Sequence, residues 1–242
     1  MRELSKSIPR RLNDSRFLRQ YFVGDGIDIG GMPDPLSLYQ ELFPLMTSVR
    51  IWDLEDGDAQ FMRAVQNEYY DFVHSSHCLE HLVDPKVGIN NWFRILKPNG
   101  YLIVTIPDED MYEQGIWPSN FNLDHKWSFT IYKKSSWSPN SLNIIDLLKT
   151  LGDEAQIIAI QLVNSAYRYS LPRYDQTATP VAESAIEFII KKNSTNAAIF
   201  VTNENNQPEP SIRKYYNQYL IDYKNLKKDN KKGAPFTDES EI

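Results

Sequence analysis

The sequence lacks the features that mark secreted, membrane-spanning or disulfide-rich proteins. It has one cysteine, Cys78, which cannot form an internal disulfide or a zinc site of several cysteines. No run of about 18 apolar residues is present, so no membrane-spanning helix is expected. Residues 1–19 contain no apolar segment of the kind found in secretory signals, and we therefore predict a cytoplasmic protein.

Positive charge is also scarce. The 32 acidic residues outnumber the 26 Lys and Arg residues, which gives a net charge of −6. Because phosphate contacts need a positive surface, this composition disfavours nucleic acid as a partner. What the chain does have is apolar and aromatic content, at 41% and 12% of its residues, enough for a sizeable core and an aromatic-lined pocket.

The order of apolar runs predicts an α/β fold. Short apolar runs alternate with stretches of helical spacing, which is typical of a doubly wound, mostly parallel sheet with helices on both sides. The predicted strands cover residues 26–29, 49–52, 70–74, 101–106, 156–163, 185–191 and 197–202. The predicted helices cover residues 35–46, 59–65 and 86–96.

This pattern divides the chain into four segments. Residues 1–22 carry six Lys or Arg residues and form an N-terminal helical segment that packs on the domain or closes over a site. Residues 23–203 form the main domain, with a substrate insertion at about 109–150. Residues 204–228 have the apolar stripe of a C-terminal helix, which would dock on the domain or on the second subunit of a homodimer. Residues 229–242 are polar and are predicted to form a flexible tail.

Acidic and small residues mark a ligand site at the ends of the first two strands. Asp28 lies on the first strand and Gly30-Gly31 follow it, so that backbone can approach a ligand at the carboxyl edge of the sheet. Asp53 ends the second strand, where an acid accepts hydrogen bonds from ribose hydroxyls. Each feature also has a purely structural interpretation, as a tight turn or a surface acid.

A histidine-rich segment follows the strand at 70–74. His77 and His81 are spaced to share one helical face, with Glu80 between them. The spacing departs from the H-E-x-x-H zinc motif, because Glu80 directly precedes His81. We therefore expect no metal at this segment.

Two stretches together resemble one enzyme family. Residues 70–85 read YDFVHSSHCLEHLVDP and residues 92–108 read WFRILKPNGYLIVTIPD. They resemble the class I S-adenosylmethionine-dependent methyltransferases of the small-molecule type, in particular the group with an LEH…DP…LKPGG signature. The resemblance covers residues 24–108 well and 156–192 loosely. It implies a Rossmann-like fold with a seven-stranded sheet, S-adenosyl-L-methionine as cofactor and methyl transfer as the reaction.

The resemblance also implies roles for individual residues. The implied cofactor-binding residues are Asp28, Gly30, Gly31, Asp53, Leu54, Asp58, Ala59 and Ser75. The first three would cradle the methionine part, the next two would meet the ribose and adenine, the following pair the adenine edge, and the last the cofactor amine. His77 would lie near the centre of methyl transfer. The sequence departs from the family's G-x-G-x-G, because Met32 and Asp34 stand where later glycines are common.

Residues 117–130 are dense in aromatic and amide side chains, as in a pocket for a small polar molecule. His125 titrates near neutral pH and is a candidate general base for a hydroxyl, with Asp124 as the residue that could orient it. Glu109, directly after the strand at 101–106, is an alternative base. A structural turn network is the other interpretation of Asp124 and His125.

We therefore predict a methyltransferase that acts on a small polar acceptor. The leading hypothesis is O-methylation of a sugar or sugar nucleotide in surface polysaccharide biosynthesis, because residues 117–129 resemble the corresponding segment of sugar-modifying relatives. Three alternatives stay open: N-methylation of a small amine, an NAD-dependent oxidoreductase, and a non-catalytic partner subunit. Neither a membrane nor a nucleic acid is predicted as a partner.

Overall fold

A six-stranded, mostly parallel sheet forms the centre of the computed structural model, which describes residues 3–194. Its strands are β1 (Gly24–Ile29), β2 (Met46–Trp52), β3 (Tyr70–Ser76), β4 (Leu96–Pro107), β7 (Ala155–Val163) and β8 (Ala185–Lys192). They lie in the order β2-β1-β3-β4-β8-β7, and β8 runs in the direction opposite to the other five. Two three-residue strands, β5 (Ser128–Thr130) and β6 (Ser141–Asn143), form a separate small sheet.

The predicted fold class is confirmed, and six of the predicted strands are present. The described part of the chain therefore has six strands in its main sheet rather than seven. The seventh predicted strand, at 197–202, lies outside the described residues. The same holds for the predicted helix at 204–228 and the predicted tail at 229–242.

Strand β4 shows why near-continuous apolar runs identify the central strands. Its alternate residues pack into two different clusters of the core, Leu102 and Val104 on one face and Tyr101 and Ile103 on the other. A strand that is buried on both faces has no polar side, so its sequence reads as a run of apolar residues.

In the described part of the chain, three α-helices cover the sheet: α1 (Leu4–Leu12), α2 (Pro85–Arg94) and α3 (Ile144–Leu148). Helix α2 begins where the Asp84 carboxylate accepts hydrogen bonds from the backbone N–H groups of Lys86 and Val87. It buries Ile89 and Trp92 against the same face as α3, whereas α1 packs on the opposite face. Among residues 3–194, no helix is long and apolar enough to cross a membrane.

Two of the predicted helices are corrected by the structure. Residues 35–46 form only a 3₁₀ helix at Leu36–Leu42, and residues 59–65 form turns with Met62 at a φ of 48°. Side chains of α2 bind the backbone carbonyls of the second segment: the Arg94 guanidinium donates to the carbonyl oxygens of Phe61, Met62 and Val65. These carbonyls are therefore satisfied without an α-helix.

Candidate active site

A cavity lies at the carboxyl ends of β1 and β3, beneath the N-terminus of α1. This is the edge at which ligands bind in open α/β sheets. The residues that line it are Glu3, Leu4, Asp28, Gly30, Gly31, Met32, Asp34, His74, Ser76, His77, Glu80, His81, Tyr112, Asn122 and His125. The cavity thus brings the glycine turn, the histidine-rich segment and the insertion together.

The glycine turn is built around the buried carboxylate of Asp28. One of its oxygens accepts a hydrogen bond from the backbone N–H of Leu36 at 2.7 Å, and the other accepts from His74 Nδ1 at 2.6 Å. A Cβ on Gly31 would lie 2.5 Å from Asp28 Oδ2, and a Cβ on Gly30, whose φ is 71°, would lie 2.7 Å from Cys78 Cβ. Glycine is therefore required at both positions by close approach inside the protein.

His74 is held in one tautomer by two charged neighbours. The Arg11 guanidinium donates to His74 Nε2 at 3.0 Å, so that Nδ1 carries the proton donated to Asp28. Burial lowers the pKa of His74 despite the nearby Asp28 carboxylate, which keeps the imidazole neutral. Arg11 also donates to Glu187 of β8 at 2.8 Å, so this buried chain of contacts connects α1 to three strands.

Asp53 lies beside the glycine turn, as expected. Its oxygens accept hydrogen bonds from the backbone N–H groups of Met32 at 3.1 Å and Leu54 at 2.8 Å. The Leu54 side chain is exposed, as it would be beside an adenine-binding surface. Asp58 lines a separate depression together with Gly57, so the role predicted for Asp58 and Ala59 at the adenine edge stays a prediction.

At the end of β3, the residues that line the cavity begin one position later than Ser75, the residue expected to face the cofactor amine. Ser75 lies within β3 and its hydroxyl donates to the backbone carbonyl of Ile29, so it is buried in the sheet. Ser76 and His77 line the cavity instead. His77 adopts a φ of 56°, and burial lowers its pKa to about 3, so its imidazole is neutral at physiological pH.

His125 lies where the sequence places it, but its orienting residue is a different one. Its Nδ1 donates to Glu113 Oε1 at 2.8 Å, and its Nε2 lies 4.0 Å from Glu80 Oε1. Asp124, the expected partner, instead accepts a hydrogen bond from His81 Nδ1 at 2.8 Å. Burial pushes the pKa of His125 down, but the Glu113 hydrogen bond and the Glu80 charge outweigh burial and raise it above its usual value.

Glu109 lies outside the cavity lining. Its buried carboxylate accepts hydrogen bonds from Lys133 Nζ at 2.6 Å, from Ser136 Oγ at 2.8 and 2.9 Å, and from Ser141 Oγ. These contacts fasten the insertion to the end of β4 and occupy both oxygens. Glu109 therefore holds the insertion in place, and we do not propose it as the general base.

Sequence reasoning missed several lining residues. Tyr112 belongs to a single turn of π-helix at Glu109–Glu113, and Glu3 and Leu4 come from the start of α1. Sequence reasoning also missed Glu113, which lies behind the lining and binds His125. The sequence carried no signal for Glu113, because the loop that separates it from His125 has no regular period. Glu3 and Leu4 lie in the segment that the sequence analysis described as packing on the domain or closing over a site.

Comparison with known proteins identifies the family. A methyltransferase-domain family matches residues 14–152, which is more than half of the chain, so this chain belongs to that family. It is a class I S-adenosylmethionine-dependent methyltransferase, and its cofactor is S-adenosylmethionine. Membership of this family does not support two of the alternatives left open by the sequence, an NAD-dependent oxidoreductase and a non-catalytic partner subunit.

Solved structures that resemble this chain have low sequence identity to it. A methyltransferase of Archaeoglobus fulgidus that depends on S-adenosylmethionine is 18% identical, over 79% of this chain and 95% of that one, with a TM-score of 0.50. The plantazolicin methyltransferase BpumL, solved with S-adenosylhomocysteine, is 11% identical, over 79% of this chain and 84% of that one, with a TM-score of 0.48. The YcgJ protein of Bacillus subtilis is 11% identical, over 77% of this chain and 99% of that one, with a TM-score of 0.44. The search of curated proteins gave no match.

The acidic groups of the site suit the cofactor. Four carboxylates line the cavity, those of Glu3, Asp28, Asp34 and Glu80, and they favour a ligand that carries a sulfonium and an ammonium group. Each oxygen of the half-buried Asp53 accepts one backbone hydrogen bond, which leaves lone pairs for ribose hydroxyls. When bound, the cofactor supplies an activated methyl group on its sulfonium.

Proposed function

We propose that this chain O-methylates a small polar acceptor, with a sugar or sugar nucleotide of surface polysaccharide biosynthesis as the expected substrate class. The observation that carries this proposal is the position of His125. Its side chain is 3% exposed, it lines the same cavity as the Gly30-Gly31 turn, and Glu113 holds its Nδ1 atom. A histidine fixed in this way acts on a hydroxyl placed between it and the cofactor site.

The enclosure of the cavity supports a small acceptor. Leu4 and Glu3 of the N-terminal segment line one side, and Tyr112 and Asn122 of the insertion line another. Such walls hold a small molecule in one orientation and exclude water, and both effects favour in-line transfer of a methyl group. The carboxylate, amide and imidazole groups of the lining are the kinds of partner that sugar hydroxyls bind.

Of the two histidines predicted to act in methyl transfer, His125 is the better candidate to activate the acceptor. The raised pKa of His125 gives a stronger proton acceptor than His77, whose pKa is about 3. General bases work best when their pKa lies near the operating pH. We therefore assign activation of the acceptor to the His125–Glu113 pair, and a positioning role to His77.

Release of S-adenosylhomocysteine from matched acceptors tests the proposal. Purified protein should turn over with sugars or sugar nucleotides, and His125→Asn should lower kcat by about 100-fold while the affinity for S-adenosylhomocysteine stays unchanged. Amino sugars that differ from the acceptor in one group provide the matched comparison. Methylation of the amine alone would replace this proposal with N-methylation of a small amine.

A further inference from the structure

Glu80 is a buried carboxylate without hydrogen bonds. Its side chain is 0% exposed, and neither of its oxygens has a hydrogen-bond partner among the described residues. An ionised carboxylate in such a place costs several kcal/mol unless a cation or a donor satisfies it. Glu80 lines the active-site cavity, so a partner can reach it from there.

Two histidines face this carboxylate, and the Nδ1 atom of each ring already has a hydrogen-bond partner. His125 Nδ1 donates to Glu113 Oε1 at 2.8 Å, and His81 Nδ1 donates to Asp124 Oδ2 at 2.8 Å. The Nε2 atoms of both rings are therefore left as acceptors. A histidine whose Nδ1–H is bound by a carboxylate is the usual form of a metal-ligating histidine, because the carboxylate fixes the ring and makes Nε2 more basic.

The distances between the ligand atoms of these three residues also suit a shared metal ion. One ligand atom from each of Glu80, His81 and His125 lies within 4.8 Å of the others, and Glu80 Oε1 lies 4.0 Å from His125 Nε2. Ligand atoms around a bound ion are about 3.3 Å apart, given bonds of about 2.0 to 2.2 Å, so modest side-chain movements would bring these three groups to an ion.

We propose that Glu80, His81 and His125 bind a divalent first-row transition-metal ion such as Zn²⁺ in the active-site cavity. Two imidazole nitrogens and one carboxylate form the ligand set of catalytic zinc sites and of other open transition-metal sites, in which a further position accepts water or substrate. All three residues line the cavity, so that open position faces the acceptor.

This site was not predicted from the sequence because its third ligand is remote in the chain. The local spacing of His77, Glu80 and His81 does not match a zinc motif, and His77 is not among the three ligands. The fold supplies His125 instead, from the insertion after β4. The ligand set therefore becomes visible only when β3 and the insertion are seen together.

The consequence for catalysis rests on the proposed function. In the metal-free protein His125 Nε2 is the base, as proposed above. With an ion bound, His125 acts as a ligand instead, and the ion meets the acceptor oxygen. Metal binding itself does not depend on the acceptor, so it can be measured in the absence of substrate and cofactor.

Metal titration of the full chain, freed of metal by chelation, tests the site. We expect one Zn²⁺ per chain by calorimetry, and a visible absorption band with Co²⁺ that reports nitrogen and oxygen ligands. The variants Glu80→Gln, His81→Ala and His125→Ala should each lose at least about tenfold in affinity. The matched control is His77→Asn, which alters the same cavity outside the ligand set and should bind within about threefold of the wild type.

The outcomes separate this inference from the proposed function. Thermal unfolding of each variant shows whether it is folded, and the partly exposed His81 gives a variant with little risk to the core. The metal site is overturned if folded wild-type protein binds no ion, or if the three ligand variants bind as well as His77→Asn does. Methyl transfer measured on the same wild-type preparation tests the proposed function separately.

Discussion

At the scale of single residues, Gly30 shows how closely the glycine turn is packed. Its φ is 71°, and a Cβ would lie 2.7 Å from Cys78 Cβ, whereas Gly115 has a φ of 83° and a Cβ there would meet nothing within 4 Å. We expect Gly30→Ala to lower the free energy of unfolding by about 2 to 4 kcal/mol, from strain plus overpacking. Gly115→Ala should cost about 1 kcal/mol, from strain alone.

Urea unfolding of the two variants measures this difference. Because both glycines have a positive φ, the comparison isolates the contact with Cys78. Equal losses in the two variants would mean that the turn can shift away from Cys78, and that Gly30 is not required by close approach.

Asp53 gives a prediction about cofactor affinity. Asp53→Asn keeps the size of the side chain but removes the charge that strengthens hydrogen bonds from ribose hydroxyls. We expect roughly a 10- to 100-fold loss of affinity for S-adenosylhomocysteine by calorimetry. Glu55→Gln, two residues away on the exposed turn after β2, should leave the affinity unchanged. Similar affinities for wild type and Asp53→Asn would show that the ribose binds elsewhere.

The residue scale also shows what the sequence could not predict. Asp28, Gly30 and Gly31 line the cavity because strand ends of a parallel sheet meet at one edge, and His125 lines it from the insertion; the roles predicted for them stay predictions. The partner of His125 was not predicted, since Glu113 reaches it across an irregular loop and neighbouring Asp124 points to His81. Hydrogen bonds between loops leave no periodic signal in a sequence.

At the scale of elements, α1 is fastened to the sheet by charges. Burial would raise the pKa of Glu187, but the charges and hydrogen bonds of Arg11 and Arg10 outweigh burial and lower it to about 2. The other ionisable groups here are Glu183, which also binds Arg10, and His74, which is neutral. A carboxyl with a lowered pKa stabilises the fold above its ordinary value of 4.5, and this stability is lost as the pH falls from there towards 2.

Glu187→Gln tests this fastening through the pH dependence of stability. The wild type should lose on the order of 3 kcal/mol between pH 4.5 and 2 through this group, and the variant should have a flatter profile there and be less stable at pH 7. Denaturant unfolding at several pH values measures both. Asp14→Asn is the control, because Asp14 pairs with the exposed Arg16 and should contribute less than about 1 kcal/mol. Parallel profiles for wild type and Glu187→Gln would contradict the role of the buried pair.

Elements with a strong period were predictable, and elements held by side chains were not. The strand predicted at 101–106, which is the buried part of β4, reads as an apolar run because both of its faces are covered. Residues 59–65 have helical spacing, yet Arg94 of α2 binds three of their carbonyls and removes the need for helical hydrogen bonds. Tertiary contacts of this kind override a local pattern, since most helix stability comes from packing.

At the scale of the whole molecule, the site is assembled from distant parts of the chain. The turn after β1, the segment after β3, the insertion after β4 and the start of α1 all line one cavity. Asp34 of the turn also accepts a hydrogen bond from the backbone N–H of Ser5, which fixes the start of α1 over the site. A ligand in this cavity therefore touches segments that are far apart in sequence.

Hydrogen exchange with and without S-adenosylhomocysteine tests this arrangement. Binding at 100 times Kd should stabilise the folded state by about 2.7 kcal/mol, and it should slow exchange in the first turn of α1, at residues 30–36 and at residues 77–82. Backbone at the opposite edge, in β7, should change only through global unfolding. A second depression, lined by Asp25, Arg50 and Tyr69, lies at the other ends of β1 and β2 and serves as an internal control. Protection centred on that depression would move the cofactor to the wrong edge of the sheet, and no change with NAD is expected at either place.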